Sequence, residues 1–161
     1  PVNIGTTTGY LELNTTQQSG TAASYWNSTT PTSSVFSLGN SSVTNGSAVT
    51  YVAYLFATKA GISKVGSYTG TATALSIDCG FTTGARFVLI KRTDSTGDWY
   101  VWDTVRGIIA GNDPYLLLNS TAAEVTSTDY IDAYTPGFEL SSTAPAAINA
   151  SGGTFIYLAF A

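Results

Sequence analysis

Five aromatic side chains are the residues best suited to bind a ligand: Tyr25, Trp26, Trp99, Tyr100 and Trp102. An aromatic ring can cover the apolar face of a pyranose, and nearby Asn, Asp and Thr side chains can take the sugar hydroxyls. Alternation along a strand puts Trp99 and Trp102 on opposite faces, so at most one of the two faces the core. These five residues are the candidates for a sugar-stacking platform, but a core position is the favoured interpretation for any one Trp, because β-sandwiches use Trp to fill their interior.

Catalytic chemistry has few candidate residues. The chain contains no His, which excludes Ser–His–Asp triads, Cys–His dyads and His-based metal sites. Two carboxylates could act in glycoside hydrolysis, but most acidic residues lie in turn-like contexts, where Asp serves the backbone. We therefore predict no enzymatic activity and no catalytic residues. The acidic residues are Glu12, Asp78, Asp94, Asp98, Asp103, Asp113, Glu124, Asp129, Asp132 and Glu139.

Two short acidic segments could offer oxygen ligands to Ca²⁺. They run from Asp94 to Asp98 and from Asp129 to Asp132, and their spacing matches no defined calcium loop. Turn-forming Asp is the favoured interpretation, so we predict neither a metal nor a cofactor.

Charge and hydropathy argue against two classes of binding partner, nucleic acids and membranes. Six basic residues and a net charge of −4 argue against nucleic acid and anionic membranes. No apolar run approaches the ~20 residues that span a membrane, so we predict a soluble chain without membrane insertion. The lone Cys79 is expected to be a small core residue.

An internal repeat divides the chain. Residues 10–57 recur in residues 115–161 with sixteen identities, at offsets of 105, 102 and 104 along the alignment. The segment 61–114 has no counterpart, which predicts a partial unit at 1–60 and a complete unit at 61–161, packed as one or two β-sandwiches. We expect the chain to be a piece of a longer tandem array; a terminal unit formed by partial duplication is the alternative.

The elements that must position these residues are strands. Residues 50–56 and 154–160 are aromatic and β-branched runs, typical of buried strands. Residues 86–92 and 99–105 predict a hairpin with a polar, glycine-bearing loop. Many short strands with little or no helix predict an all-β fold, either a β-sandwich or a jelly-roll built from an imperfect tandem repeat.

Several strings resemble a repeated β-domain of bacteriophage tail fibres and other virion structural proteins, notably those of marine and cyanobacterial phages. They are residues 66–70 (GSYTG), 87–99 (FVLIKRTDSTGDW) and 149–161 (NASGGTFIYLAFA), with residues 50–57 (TYVAYLFA) similar to the end of a preceding copy. The resemblance covers nearly the whole chain and implies tandem copies.

The resemblance implies a virion-surface protein, with other virion proteins as partners. The first expectation is a non-catalytic fibre or tail-appendage module that adheres to host-surface glycan. The alternative is a structural virion protein, such as a capsid decoration protein or a fibre spacer. A secreted cell-surface lectin-like domain is a further alternative, which glycosylation at Asn27 or Asn40 would support. Phage fibres are commonly trimers, so a homo-oligomer is expected, with a trimer favoured.

Overall fold

The computed structural model describes residues 7–161, and these residues form an all-β chain with three helices of a single turn. The helices are α1 (Ala23–Trp26), α2 (Ser42–Asn45) and α3 (Ala146–Asn149). The strands, in chain order, are β1 (Gly9–Tyr10), β2 (Gly20–Thr21), β3 (Ser63–Thr69), β4 (Leu75–Asp78), β5 (Phe87–Arg92), β6 (Trp99–Asp103), β7 (Leu116–Leu117), β8 (Ile131–Tyr134), β9 (Gly137–Leu140) and β10 (Thr154–Phe160).

Two antiparallel sheets carry the fold. The larger has the strand order β3-β10-β5-β6-β7 and the smaller has the order β4-β9-β8, while β1 and β2 form a separate two-stranded ribbon. Strand β10 is the last in the chain, yet it lies between β3 and β5 and pairs with both along most of its length. This central strand is therefore held by segments 63 to 97 residues upstream.

The hydrophobic core lies between the two sheets. The larger sheet contributes residues such as Ile90, Trp102 and Phe155, and the smaller sheet contributes Ile77 and Phe138. Cys79 is part of this core, as predicted, and burial raises the pKa of its thiol to about 11. The predicted all-β sandwich is confirmed.

The hairpin expected around residues 86–105 is present as β5 and β6. Its register pairs Phe87 with Asp103 and Lys91 with Trp99. The alternation of side chains places Val88 and Ile90 of β5 in the core beside Tyr100 and Trp102 of β6. Local sequence is sufficient to predict this hairpin because both strands and their turn are contiguous in the chain.

One predicted strand is absent. Residues 154–160 form β10 as expected, but residues 50–56 form no strand and are exposed along their whole length. The prediction of a buried strand at residues 50–56 is wrong for this structure, because no strand within residues 7–161 pairs with this segment, and its side chains stay exposed. The repeat and the division into units at 1–60 and 61–161 stay predictions.

Candidate functional site

A cleft on the surface of the N-terminal third is the candidate functional site. Its volume is about 750 Å³, and it is bounded by α1, by α2 and by the extended segment that follows α2. The lining residues are Thr7, Gly9, Trp26, Thr29, Thr30, Pro31, Phe36, Ser37, Leu38, Val43, Thr44, Tyr51, Val52, Ala53, Tyr54 and Leu55.

Short-range hydrogen bonds shape the walls of this cleft. Ser41 caps α2 by accepting from the Val43 N–H at 3.2 Å, and the Tyr51 hydroxyl accepts from the Gly46 N–H at 2.8 Å. Tyr51 also donates to the Ser42 carbonyl at 2.7 Å, which ties the extended segment to α2. The segment is thus held in place at its start, although it belongs to no sheet.

One of the five predicted ligand-binding aromatics lines the cleft, and a second lies beside that residue. Trp26 lines it, and its indole N–H donates to the Gly9 carbonyl at 3.0 Å. Tyr25 lies beside Trp26, with ring centroids 6.5 Å apart, and contacts Tyr10 at 4.7 Å. Both rings are half-buried, so the sugar-stacking prediction depends on these two residues.

The other three predicted aromatics are buried. Tyr100 and Trp102 are in the core, stacked with centroids 5.6 Å apart and ring planes at 13°. Trp99 points to the opposite face of β6, as alternation requires, but it is buried as well. None of the three presents a ring face to solvent on which a sugar could stack.

A loop from the N-terminal third explains why Trp99 is buried. The Trp99 indole N–H donates to the Glu12 carbonyl at 3.0 Å, and the Gly97 N–H donates to the Thr16 carbonyl at 2.9 Å. The Ser19 N–H donates to the Thr93 carbonyl at 3.0 Å. Residues 12–19 therefore cover the β5–β6 turn, a long-range contact that no local pattern signals.

The acidic residues named as possible calcium ligands are engaged within the protein. Asp94 accepts from Arg92 Nε at 2.9 Å and from the Thr154 N–H at 3.1 Å, and these contacts hold the pKa of its carboxyl below its usual value. Asp98 accepts from Asn119 Nδ2 at 2.7 Å. Across residues 7–161, no three acidic or Cys side chains are grouped so that they could hold a metal ion.

One pair of carboxylates does face each other across two strands. Asp132 of β8 is the register partner of Glu139 of β9, which also accepts from the Ser76 hydroxyl at 2.5 Å. Burial, and then the charges of Asp129 and Glu139, raise the pKa of Asp132. The pair lies outside the cleft, whose lining contains neither residue.

Asp113 is a second acid with a raised pKa, and burial is the largest cause. Its carboxylate accepts from the Ile109 N–H at 3.0 Å and from the Ile131 N–H at 3.2 Å. These amides oppose the shift by stabilising the charged form. The group has no exposed surface, and it joins a loop to the start of β8.

The fold and the cleft define an all-β sandwich with a solvent-open apolar cleft on its N-terminal third. Residues 2–161 match the family described as Domain of unknown function (DUF7483), and the chain belongs to that family. No curated protein and no solved structure matches the chain. None of the helices within residues 7–161 has the length and apolar character needed to span a membrane.

Proposed function

We propose that this chain is a non-catalytic structural module of a bacteriophage virion-surface protein, a fibre or tail-appendage segment that works through contacts with other protein. The observation that carries the proposal is the distribution of exposed apolar side chains. Among the described residues, fifteen large apolar side chains are exposed, and twelve of them lie between residues 13 and 62. A concentration of this kind marks a surface that another macromolecule covers.

The virion setting rests on the resemblance of residues 66–70, 87–99 and 149–161 to repeated domains of phage fibres. The same resemblance favours a homo-oligomer, and a trimer in particular. The low content of charged side chains, 10% of the chain, suits a module packed among similar modules, because few charges must be desolvated on assembly.

Adhesion to host-surface glycan is the second candidate, and one observation favours it. Trp26 is half-buried and lines the cleft together with Thr29 and Thr30, and the half-buried Tyr25 lies beside Trp26. An aromatic face beside hydroxyl groups suits weak sugar contacts, which many copies on one particle would strengthen.

Retention on glycans separates the two functions. The purified chain is tested on host cells and on immobilised glycans, beside Trp26→Ala and the matched control Val105→Ala, whose side chain is exposed outside the cleft. A structural module is expected to show no retention in any form. Retention of the wild type and of Val105→Ala, lost in Trp26→Ala, would replace the structural proposal by adhesion.

The position of the chain in the particle is the second measurement. An electron-microscopy map that places it in a fibre shaft or on the capsid agrees with the structural proposal. Placement at a distal tip favours adhesion.

A further inference from the structure

Residues 10–57 and 115–161 share several backbone contacts at the offsets found in the sequence, although β8 and β9 pair with each other and their counterparts, residues 26–29 and 35–38, form no strands. Tyr10 pairs with Gly20, and 105 residues later Tyr115 bridges Val125. Three hydrogen bonds recur as well. In each, the N–H of the first residue donates to the carbonyl of the second. Gly39 to Tyr25 (2.9 Å) corresponds to Ser141 to Tyr130 (3.1 Å). Asn45 to Ser41 (2.8 Å) corresponds to Asn149 to Pro145 (2.9 Å), and Val49 to Gly46 (3.3 Å) corresponds to Gly153 to Ala150 (2.9 Å).

Burial differs sharply between these two segments. Phe36 is 38% exposed and Leu38 is 41% exposed, whereas their counterparts Phe138 and Leu140 are fully buried. The difference is largest in the segment after α2, where Leu55 is 75% exposed. From residue 7 to residue 60, Gly9 alone is buried. The N-terminal segment thus shares several backbone contacts with the C-terminal one but lacks its covering layer.

The cleft is lined by the counterparts of core residues. Residues 115–161 contribute seven side chains to the hydrophobic core, and the counterpart of each one lines the cleft. The pairs are Trp26 and Ile131, Phe36 and Phe138, Leu38 and Leu140, Thr44 and Ile148, Tyr51 and Phe155, Ala53 and Tyr157, and Leu55 and Ala159.

The segment between the two halves covers these core residues in residues 61–161. All remaining members of the core come from positions 77 to 108, on β4, β5, β6 and the loops that follow them. Strands β3 and β5 also flank β10, so the same segment supplies its backbone partners. No such segment lies against residues 50–56, which correspond to β10.

A polar pair points to the same missing segment. Asn119 accepts from the Trp99 N–H at 2.8 Å and donates to Asp98 at 2.7 Å, joining the C-terminal half to β6. Its counterpart, Asn14, is exposed. The side-chain amide of Asn14 is thus free to make the hydrogen bonds that Asn119 makes, and its partner would be a strand equivalent to β6.

We propose that the cleft is the open half of a second sandwich core, and that its occupant is a strand segment with the pattern of residues 61–105. The occupant belongs to a neighbouring unit of this family that precedes residues 7–57 in the same polypeptide. Chain order argues for this source, since β3 to β6 precede the half that they cover in residues 61–161. The proposal deepens the structural role proposed above and rests on it for its setting in an array.

An extended chain tests the occupant directly. A second copy of residues 61–105 is placed immediately ahead of residue 1, which keeps the 105-residue spacing of the repeat. Amide hydrogen exchange at residues 51–56 is expected to slow by about 100-fold or more, because those amides become hydrogen-bonded in a central strand. The matched control carries Val88→Asp and Ile90→Asp in the added copy only, and there the exchange stays fast.

Two results would overturn the proposal. The first is fast exchange at residues 51–56 in the extended chain while β10 stays protected. The second is slow exchange in the 161-residue chain on self-association, which would make a second copy the occupant.

A substitution in the 161-residue chain gives an independent measurement. Leu55→Asp is expected to leave the thermal midpoint almost unchanged, because Leu55 faces an open cleft, whereas Ala159→Asp at the counterpart position abolishes folding. Equal loss of folding in both variants would mean that the cleft is already closed, and the proposal would fail. These outcomes are independent of glycan retention and of position in a particle, so the proposed function and its partner can fail separately.

Discussion

Lys91 is a charged side chain with no exposed surface, and its environment shows how the N-terminal third is attached to the sandwich. Its ammonium donates to the Gly97 carbonyl at 2.6 Å and to the Thr16 carbonyl at 3.2 Å, and lies 5.9 Å from the Trp99 ring centroid. Burial lowers its pKa, and the negative charge of Asp98 partly offsets that shift. Two carbonyls and an aromatic face compensate for lost water, so this buried cation fixes the 12–19 loop in place.

Trp102 gives a prediction at the same scale. It is fully buried, and its indole N–H has no hydrogen-bond partner within residues 7–161. We expect Trp102→Ala to lower the free energy of unfolding by about 3–5 kcal/mol, through lost apolar contacts and a cavity. Trp102→Phe should cost less, about 1–2 kcal/mol, because it also removes an unsatisfied donor worth about 1–3 kcal/mol. Urea denaturation measures the free energy of unfolding of both variants. Equal losses in Trp102→Ala and Trp102→Phe would show that the indole N–H of Trp102 has a hydrogen-bond partner in the folded protein.

The aromatic residues also show where sequence reasoning reaches its limit. Alternation correctly places Trp99 and Trp102 on opposite faces of β6, because that follows from strand geometry alone. It cannot tell that residues 12–19, about 80 positions away, cover the second face. Burial of Trp99 depends on a long-range contact. Its ring, which alternation leaves free to bind a ligand, is instead covered by another part of the protein.

At the scale of elements, β8 and β9 place like charges opposite each other. Unfolded Asp has a pKa near 3.8, and the folded value for Asp132 is raised, so the charged carboxylate opposes folding above that raised value. Asp132→Asn is therefore expected to raise the free energy of unfolding at pH 7, by about 0.2–1 kcal/mol. The gain should vanish as the pH falls below 3.8, where both forms are neutral.

Asp94→Asn is the matched control, because it is expected to lower the free energy of unfolding at pH 7, whereas Asp132→Asn raises it. The ion pair with Arg92 lowers the pKa of Asp94, so its charge stabilises the fold at neutral pH, and this contribution is lost as the pH falls through the folded value. Urea midpoints of both variants from pH 3 to pH 7 test the pair. A loss of stability in Asp132→Asn at pH 7 would contradict the repulsion.

Elements were predictable where their partners are local. The hairpin of β5 and β6 follows from two strand-like runs and one turn, and it is present in the structure. Residues 50–56 and 154–160 have almost the same apolar pattern, but only the latter form a strand. The apolar pattern indicates what a segment can bury, whereas pairing depends on which strands lie alongside it. Among residues 7–161, no strand pairs with residues 50–56.

Within residues 7–161, the buried core and the exposed apolar side chains lie in different parts of the chain. Every core side chain lies between residues 77 and 159, and the exposed apolar surface is concentrated before residue 63. The all-β class was predictable from composition and turn chemistry, since these act along the entire chain. The cleft was not, because its walls depend on how residues 7–57 pack, which no local pattern signals.

Strong alkali should destabilise the sandwich as a unit, since three core tyrosines hold their protons. Burial raises the pKa of Tyr100 to about 12, and it also raises those of Tyr68 and Tyr157. Unfolded tyrosines ionise near pH 10, so the folded state retains protons that the unfolded state loses. The stabilisation is fully present below pH 10 and is lost as the pH rises through the folded values.

Each such group contributes a slope of up to about 1.4 kcal/mol per pH unit between its unfolded and folded pKa. Lys91 acts in the opposite direction, because its pKa is lowered, but the raised pKa of Cys79 acts in the same direction as those of the three tyrosines. Urea midpoints from pH 8 to pH 11.5 should therefore fall above pH 10, with tyrosinate absorbance appearing only as the chain unfolds. Tyr100→Phe should reduce the slope by about one proton; an unchanged slope would mean that Tyr100 ionises freely within the fold.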